Sequence, residues 1–124
     1  MPRVLIADDD GDIRDLVAFK LTQSGHEVIA VEDGMAALKA ARSQPVDVAL
    51  LDIRMPGMSG LDVCRELRAA PETASLPVIL ITARSQEGDV ETGFAAGADD
   101  YIIKPFSPRE LSSRVQAVLT RASR

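Results

Sequence analysis

The chain is poor in the residues that mark several functional classes. It has no tryptophan and only 3% aromatic residues, which leaves few flat side chains on which bases could stack. Its 14 Lys and Arg are outnumbered by 19 Asp and Glu, for a net charge of −5. Direct nucleic-acid binding, which depends on clustered cations against phosphate, is therefore not expected. A single cysteine, Cys64, excludes an internal disulfide and suits a reducing cytosol, so a cytoplasmic setting is expected. No apolar run approaches the ~20 residues of a membrane span. The opening MPRVLIADD lacks the long apolar stretch and cleavage site of a secretory signal.

What is present is 124 residues, 46% of them hydrophobic, enough for one domain with a real core and too few for a second. The expected domain covers residues 1–121, with 122–124 as a tail or the start of a linker. Runs of Val, Ile, Leu and Ala fall at about 3–7, 26–31, 46–52, 77–82 and 100–103. They are continuous rather than alternating, as in strands buried on both faces. Between them Ile13, Leu16, Val17 and Leu21 are spaced to share one helical stripe. Helix starts are legible in Asp33-Gly34, in Ser59 with Asp62, and in Ser107-Pro108-Arg109-Glu110, where Glu110 should reach back to the free amides. Gly25, Pro45 and Gly97 mark helix exits. Five β–α pairs imply an α/β fold, a doubly wound parallel sheet with helices on both faces. The pattern leaves the strand order open.

Polar residues stand where these runs stop: Asp8 and Asp9 after RVLIA, Asp52 after VDVALL, Thr82 after PVILI, and Lys104 after YII. In one parallel sheet all would arrive at the carboxyl edge, where open α/β sheets bind ligands. Two carboxylates about 4 Å apart repel by about 4 kcal/mol at an effective dielectric near 20. Three such acids must take up protons or recruit a cation, and one lysine does not neutralise them. Hard, anionic oxygen donors suit Mg²⁺ or Mn²⁺. A carboxylate beside such an ion, an ammonium and a hydroxyl is fitted to attack phosphorus and become an aspartyl phosphate.

The stretches VLIADDD, LLDIRMPGMSGLDV, PVILITAR and GADDYIIKPFSPREL, in that order, resemble the receiver domain of two-component response regulators, the CheY-like fold. The resemblance implies strand order 2-1-3-4-5, a flavodoxin-like sheet. It also implies that Asp52 is the phosphoacceptor, that Asp9 and Asp52 bind Mg²⁺ directly, and that Asp8 assists through water or holds the acidic pocket. Arg54 would add its backbone carbonyl to the metal site. Lys104 would pair with the phosphoryl group, and Pro105 would follow through a cis bond. The backbone amides of Ile53 and Ala83 would cradle the phosphoryl oxygens, while Thr82 and Tyr101 would form a switch pair whose ring swings inward. A sensor histidine kinase or phosphotransfer protein would be the donor, and an output domain or effector the recipient of the signal. Such a chain is chiefly regulatory, with self-catalysed phosphorylation and dephosphorylation.

The last third, GADDY…KPFSPREL…R, resembles the OmpR/PhoB subfamily, which dimerises through the fourth helix, fifth strand and fifth helix. Asp99, Asp100, Glu110 and Arg114 fit its cross-subunit ion pairs. Val90 and Glu91 depart from its usual basic–aliphatic pair, leaving Glu110 without a basic partner, so a homodimer is expected to be weak or phosphorylation-dependent. Gly88 and Gly93 should weaken the fourth helix, by about 1 kcal/mol each relative to alanine. Arg54 and Arg84, each two residues beyond a site residue, are expected to prolong the phosphorylated state. His26, Cys64, Met55 and Met58 are read as packing residues.

Asp8-Asp9-Asp10-Gly11 also resembles the DxDG signature of haloacid-dehalogenase phosphatases, with Asp8 as nucleophile. Against that reading, Asp12 replaces the expected threonine or valine, and Lys104 follows Asp99-Asp100 instead of preceding it. A calcium loop built on Asp8, Asp10 and Asp12 lacks its glycine and distal glutamate, since Ile13 and Phe19 stand there.

Overall fold

Each continuous apolar run becomes a strand because helices cover it from both sides. The computed structural model describes residues 1–83 and 88–122, with the side chains of 88–90 left aside. Its elements alternate: β1 (Arg3–Ala7), α1 (Gly11–Gln23), β2 (Glu27–Val31), α2 (Gly34–Ser43), β3 (Val48–Asp52), α3 (Gly60–Ala69), β4 (Val78–Ala83), α4 (Gly88–Ala95), β5 (Asp100–Lys104) and α5 (Pro108–Ala122). All pairings are parallel and the order is β2-β1-β3-β4-β5. This is the doubly wound, flavodoxin-like sheet that the resemblance implies.

Side chains of successive strand residues point to opposite faces, and the core divides accordingly. Val4, Ile6, Val48, Leu50, Ile79 and Ile81 pack with Val17 and Leu21 of α1 and with Leu111, Val115 and Val118 of α5. Leu5, Ala7, Ala49, Leu51, Val78 and Leu80 pack instead with Ala37 and Leu38 of α2 and Val63, Cys64 and Leu67 of α3. Cys64 and Met55 are thus core residues, as expected, and His26 is buried just before β2.

The helix starts follow the side-chain oxygens. Asp10 caps α1, accepting from the amides of Asp12 and Ile13, and Asp33 caps α2 through Ala36. Ser59 and Asp62 complete a reciprocal box at α3. At α5 Ser107 accepts from the Glu110 amide at 3.0 Å. Contrary to expectation, Glu110 directs its carboxylate to Arg114 Nε, 3.2 Å away, because a cation one turn ahead is a stronger partner than a neutral amide. One further expectation changes. Leu16 does not share the buried stripe of α1: it is exposed, as is Phe19. Gly93 is a close-approach residue, since a Cβ there would lie 2.7 Å from Leu80 Cδ1. Its missing side chain lets α4 sit against β4.

Candidate functional site

Four strands deliver the site. β1 ends at Ala7, so Asp8 and Asp9 follow at its carboxyl end, and Asp52 is the last residue of β3. Thr82 precedes the end of β4, where Ala83 pairs with Lys104, the last residue of β5. Carboxylate oxygens of Asp8, Asp9 and Asp52 lie within 4.8 Å of one another. Lys104 Nζ is 3.1 Å from Asp8 Oδ2 and 3.2 Å from Asp52 Oδ2. Asp8 is inaccessible, Asp52 is 4% exposed, and Thr82 is 1% exposed. Asp9 is exposed.

Local bonds fix the two buried acids. Asp8 Oδ1 accepts from the Asp10 amide at 2.9 Å, and its carbonyl accepts from Arg14 Nη1 at 2.8 Å. Among the described residues Asp8 Oδ2 has no well-formed hydrogen bond, and Lys104 Nζ stands 3.1 Å from it as an ion-pair partner. A buried carboxylate oxygen short of hydrogen bonds is costly, and the Asp8 carboxylate sits together with those of Asp9 and Asp52. The donor set is all carboxylate, it carries more negative charge than Lys104 offsets, and it includes this under-bonded oxygen. A hard divalent cation fits it.

Asp52 is bound by Lys104 Nζ at Oδ2 and by the Arg54 amide, 3.3 Å from Oδ1. Burial pushes its pKa from the ordinary 3.8 to about 6, and the charge of Asp8 adds to the effect. Lys104 and the Arg54 amide pull it back. For Lys104, burial alone would lower the pKa, but Asp52 and Asp8 outweigh it, and the net shift is upward. The lysine is a fixed positive charge.

The structure corrects one expected contact. The Ile53 amide donates to the Ile81 carbonyl at 2.9 Å, as part of the sheet. It is the Arg54 amide that faces the Asp52 carboxylate. The pleat explains this: one residue beyond the strand end, the chain still follows the ladder, and only the next amide is released toward the rim. Arg14 was also not anticipated, although an arginine one turn into the helix that follows Asp8 is the available signal. Arg84 lies outside the described residues. The Lys104–Pro105 bond is cis, as expected.

Tyr101 is half-buried on β5 beside a cleft with no room for a water molecule, lined by Ile53, Leu80, Thr82, Gly93 and Phe94. Thr82 and Tyr101 therefore share one cleft. The charged residues expected to pair across a dimer also make ion pairs within the chain. Arg114 contacts Asp100 at 3.1 Å and Glu110 at 3.2 Å, and Asp99 contacts Arg68 at 3.0 Å.

Comparison with known proteins agrees with this fold. Residues 4–116 match the family model described as response regulator receiver domain. The sensory transduction protein RegX3 of Mycobacterium tuberculosis is 48% identical over 121 residues, 98% of this chain and 52% of that protein. The transcriptional regulatory protein AfsQ1 of Streptomyces coelicolor is 43% identical over 124 residues, 100% of this chain and 54% of its own. The chain thus spans about half the length of these curated relatives. A crystal structure of a putative response regulator from Chloroflexus aurantiacus superposes with a TM-score of 0.92 at 35% identity, covering 97% of this chain and 99% of that one.

Proposed function

Because the chain belongs to the response regulator receiver domain family of two-component systems, we propose that it is a phosphoacceptor switch with Asp52 as the acceptor. The carrying observation is the convergence of three carboxylates within 4.8 Å, with Lys104 against two of them. An Asp52 oxygen would form the new P–O bond as the P–N bond of a donor phosphohistidine breaks and the imidazole leaves. Mg²⁺ or Mn²⁺, held by Asp8, Asp9, Asp52 and the Arg54 carbonyl, would keep Asp52 ionised and offset charge on the phosphoryl oxygens. Lys104 would remain paired with the modified residue, while the Arg54 amide and the Thr82 hydroxyl would donate to its oxygens. The added charge, about −1.5 to −2, would draw Thr82 toward it and let the Tyr101 ring turn into the cleft beside Thr82.

The donor would be a sensor histidine kinase or a phosphotransfer protein. The readout would be a remodelled face made by α4, β5 and α5, read by an effector. The names of the relatives support an output in gene regulation, exercised elsewhere than on this acidic domain. The phosphatase reading has Asp8 as nucleophile, but Asp8 is inaccessible whereas Asp52 retains some exposure. The test is incubation with phosphoramidate and Mg²⁺ followed by intact-mass measurement and mapping of the acyl phosphate. Wild type should gain one phosphoryl group on Asp52, and both Asp52→Asn and chelation of the divalent ion should abolish the gain. Label on Asp8 would sink the proposal.

A further inference from the structure

We propose that Arg114 is a latch on the Tyr101 ring, a positioning residue that sets how readily the ring leaves its present position when Asp52 is modified. The inference rests on the phosphoacceptor reading above. Arg114 is held from two sides: Nη1 lies 3.1 Å from Asp100 Oδ1 and 3.3 Å from Oδ2, and Nε lies 3.2 Å from Glu110 Oε2. The guanidinium so fixed has its Cζ over the Tyr101 ring, 5.8 Å from the centroid. Phe94 meets the same ring edge-on, with centroids 5.6 Å apart and planes at 84°. One ring thus joins α4, β5 and α5. Asp100 is only 18% exposed in this pair, so its hold on Arg114 is less screened than that of an ordinary surface pair.

The consequence is directional. Two carboxylates keep the guanidinium in place whether or not the ring is beneath it. Turning the ring into the cleft therefore forfeits the cation–π attraction and the Phe94 contact together. The cleft has no room for a water, so the turn also requires α4 to yield. Arg114 adds to the resistance without touching the reacting atoms.

The chain has one tyrosine and no tryptophan, so its tyrosine fluorescence reports on Tyr101 alone. The experiment follows that emission, and its quenching by acrylamide, as beryllium fluoride is titrated in the presence of Mg²⁺ to mimic the phosphoryl group. Loss of the latch in Arg114→Ala should lower the midpoint of the transition about three- to tenfold. Arg114→Lys, which keeps the charge and loses the planar stack, should fall between. If Arg114→Ala does not fold, the paired changes Asp100→Asn and Glu110→Gln, which free the guanidinium, should also lower the midpoint. An unchanged or raised midpoint overturns the latch. So does a wild type that takes up a phosphoryl group on Asp52 while its emission stays flat, although the phosphoacceptor reading then survives. Absence of uptake overturns both.

Discussion

Asp52 shows how one residue can set folding against the charge that its proposed role requires. Its pKa, pushed from 3.8 to about 6 chiefly by burial, means that the folded state holds a proton more tightly than the unfolded state does. Between those values the unfolded chain binds fewer protons, so stability falls as pH rises through the window of about 4 to 6. The shift corresponds to about 3 kcal/mol. Asp52→Asn removes the ionisable group and keeps its shape. With divalent ions chelated, urea unfolding should show the variant more stable than wild type at pH 7, by up to about 3 kcal/mol. The gap should close near pH 4, and adding Mg²⁺ at pH 7 should narrow it by stabilising only the wild type. An equal gap at both pH values would contradict this account of the acidic pocket.

Among the elements, α3 is the one whose placement most directly shapes the site. A Cβ on Gly60 would lie 2.4 Å from the Asp52 carbonyl oxygen and 2.9 Å from its carbon. Those are backbone atoms, so the first turn of α3 and the end of β3 must separate to admit it. Gly60→Ala should therefore cost about 2 kcal/mol through overpacking, despite the better helix propensity of alanine. It should also slow phosphoryl uptake by displacing Asp52. Gly11 provides the contrast: its Cβ would meet only Arg14 Nη2, at 3.4 Å. Gly11→Ala at the start of α1 should be neutral or stabilising by less than about 1 kcal/mol. Paired denaturation curves decide the matter. If the two variants behave alike, the close approach at Gly60 is not what holds α3. Both glycines are visible in the sequence, but only spatial neighbours distinguish a spacer from a contact.

At the scale of the whole molecule, the sheet has a charged carboxyl edge and a braced opposite edge. At the carboxyl edge sit the three acids and Lys104. At the other, Arg68 of α3 donates to the Leu76 and Gly97 carbonyls, at 2.6 and 3.0 Å, and to Asp99, which also accepts from the Val78 amide at 2.8 Å. This brace ties α3 to the starts of β4 and β5. Asp99→Ala should lower stability by about 1–2 kcal/mol, since it strands the partly buried Val78 amide and takes the one carboxylate partner from the Arg68 guanidinium, which keeps its two carbonyls. It should change phosphoryl uptake less than twofold, a comparison that a mass assay and a urea melt can make on one preparation. A large loss of uptake would show that the edges are not independent. The alternation of strand-like runs with capped helical segments was enough to specify a doubly wound α/β fold, because each run is continuous and each turn carries its own hydrogen-bonding residues. The motifs also placed Asp8, Asp9, Asp52, Thr82 and Lys104 at strand ends, since the end of an apolar run is a local event. What only the tertiary structure decided was which atoms face which. The Arg54 amide, not that of Ile53, turns to Asp52; Arg114 closes on Asp100, Glu110 and Tyr101 within one chain; Gly60 and Gly93 are contacts. These depend on distances between segments far apart in sequence, and a side chain's partner is set by that packing and not by its neighbours along the chain.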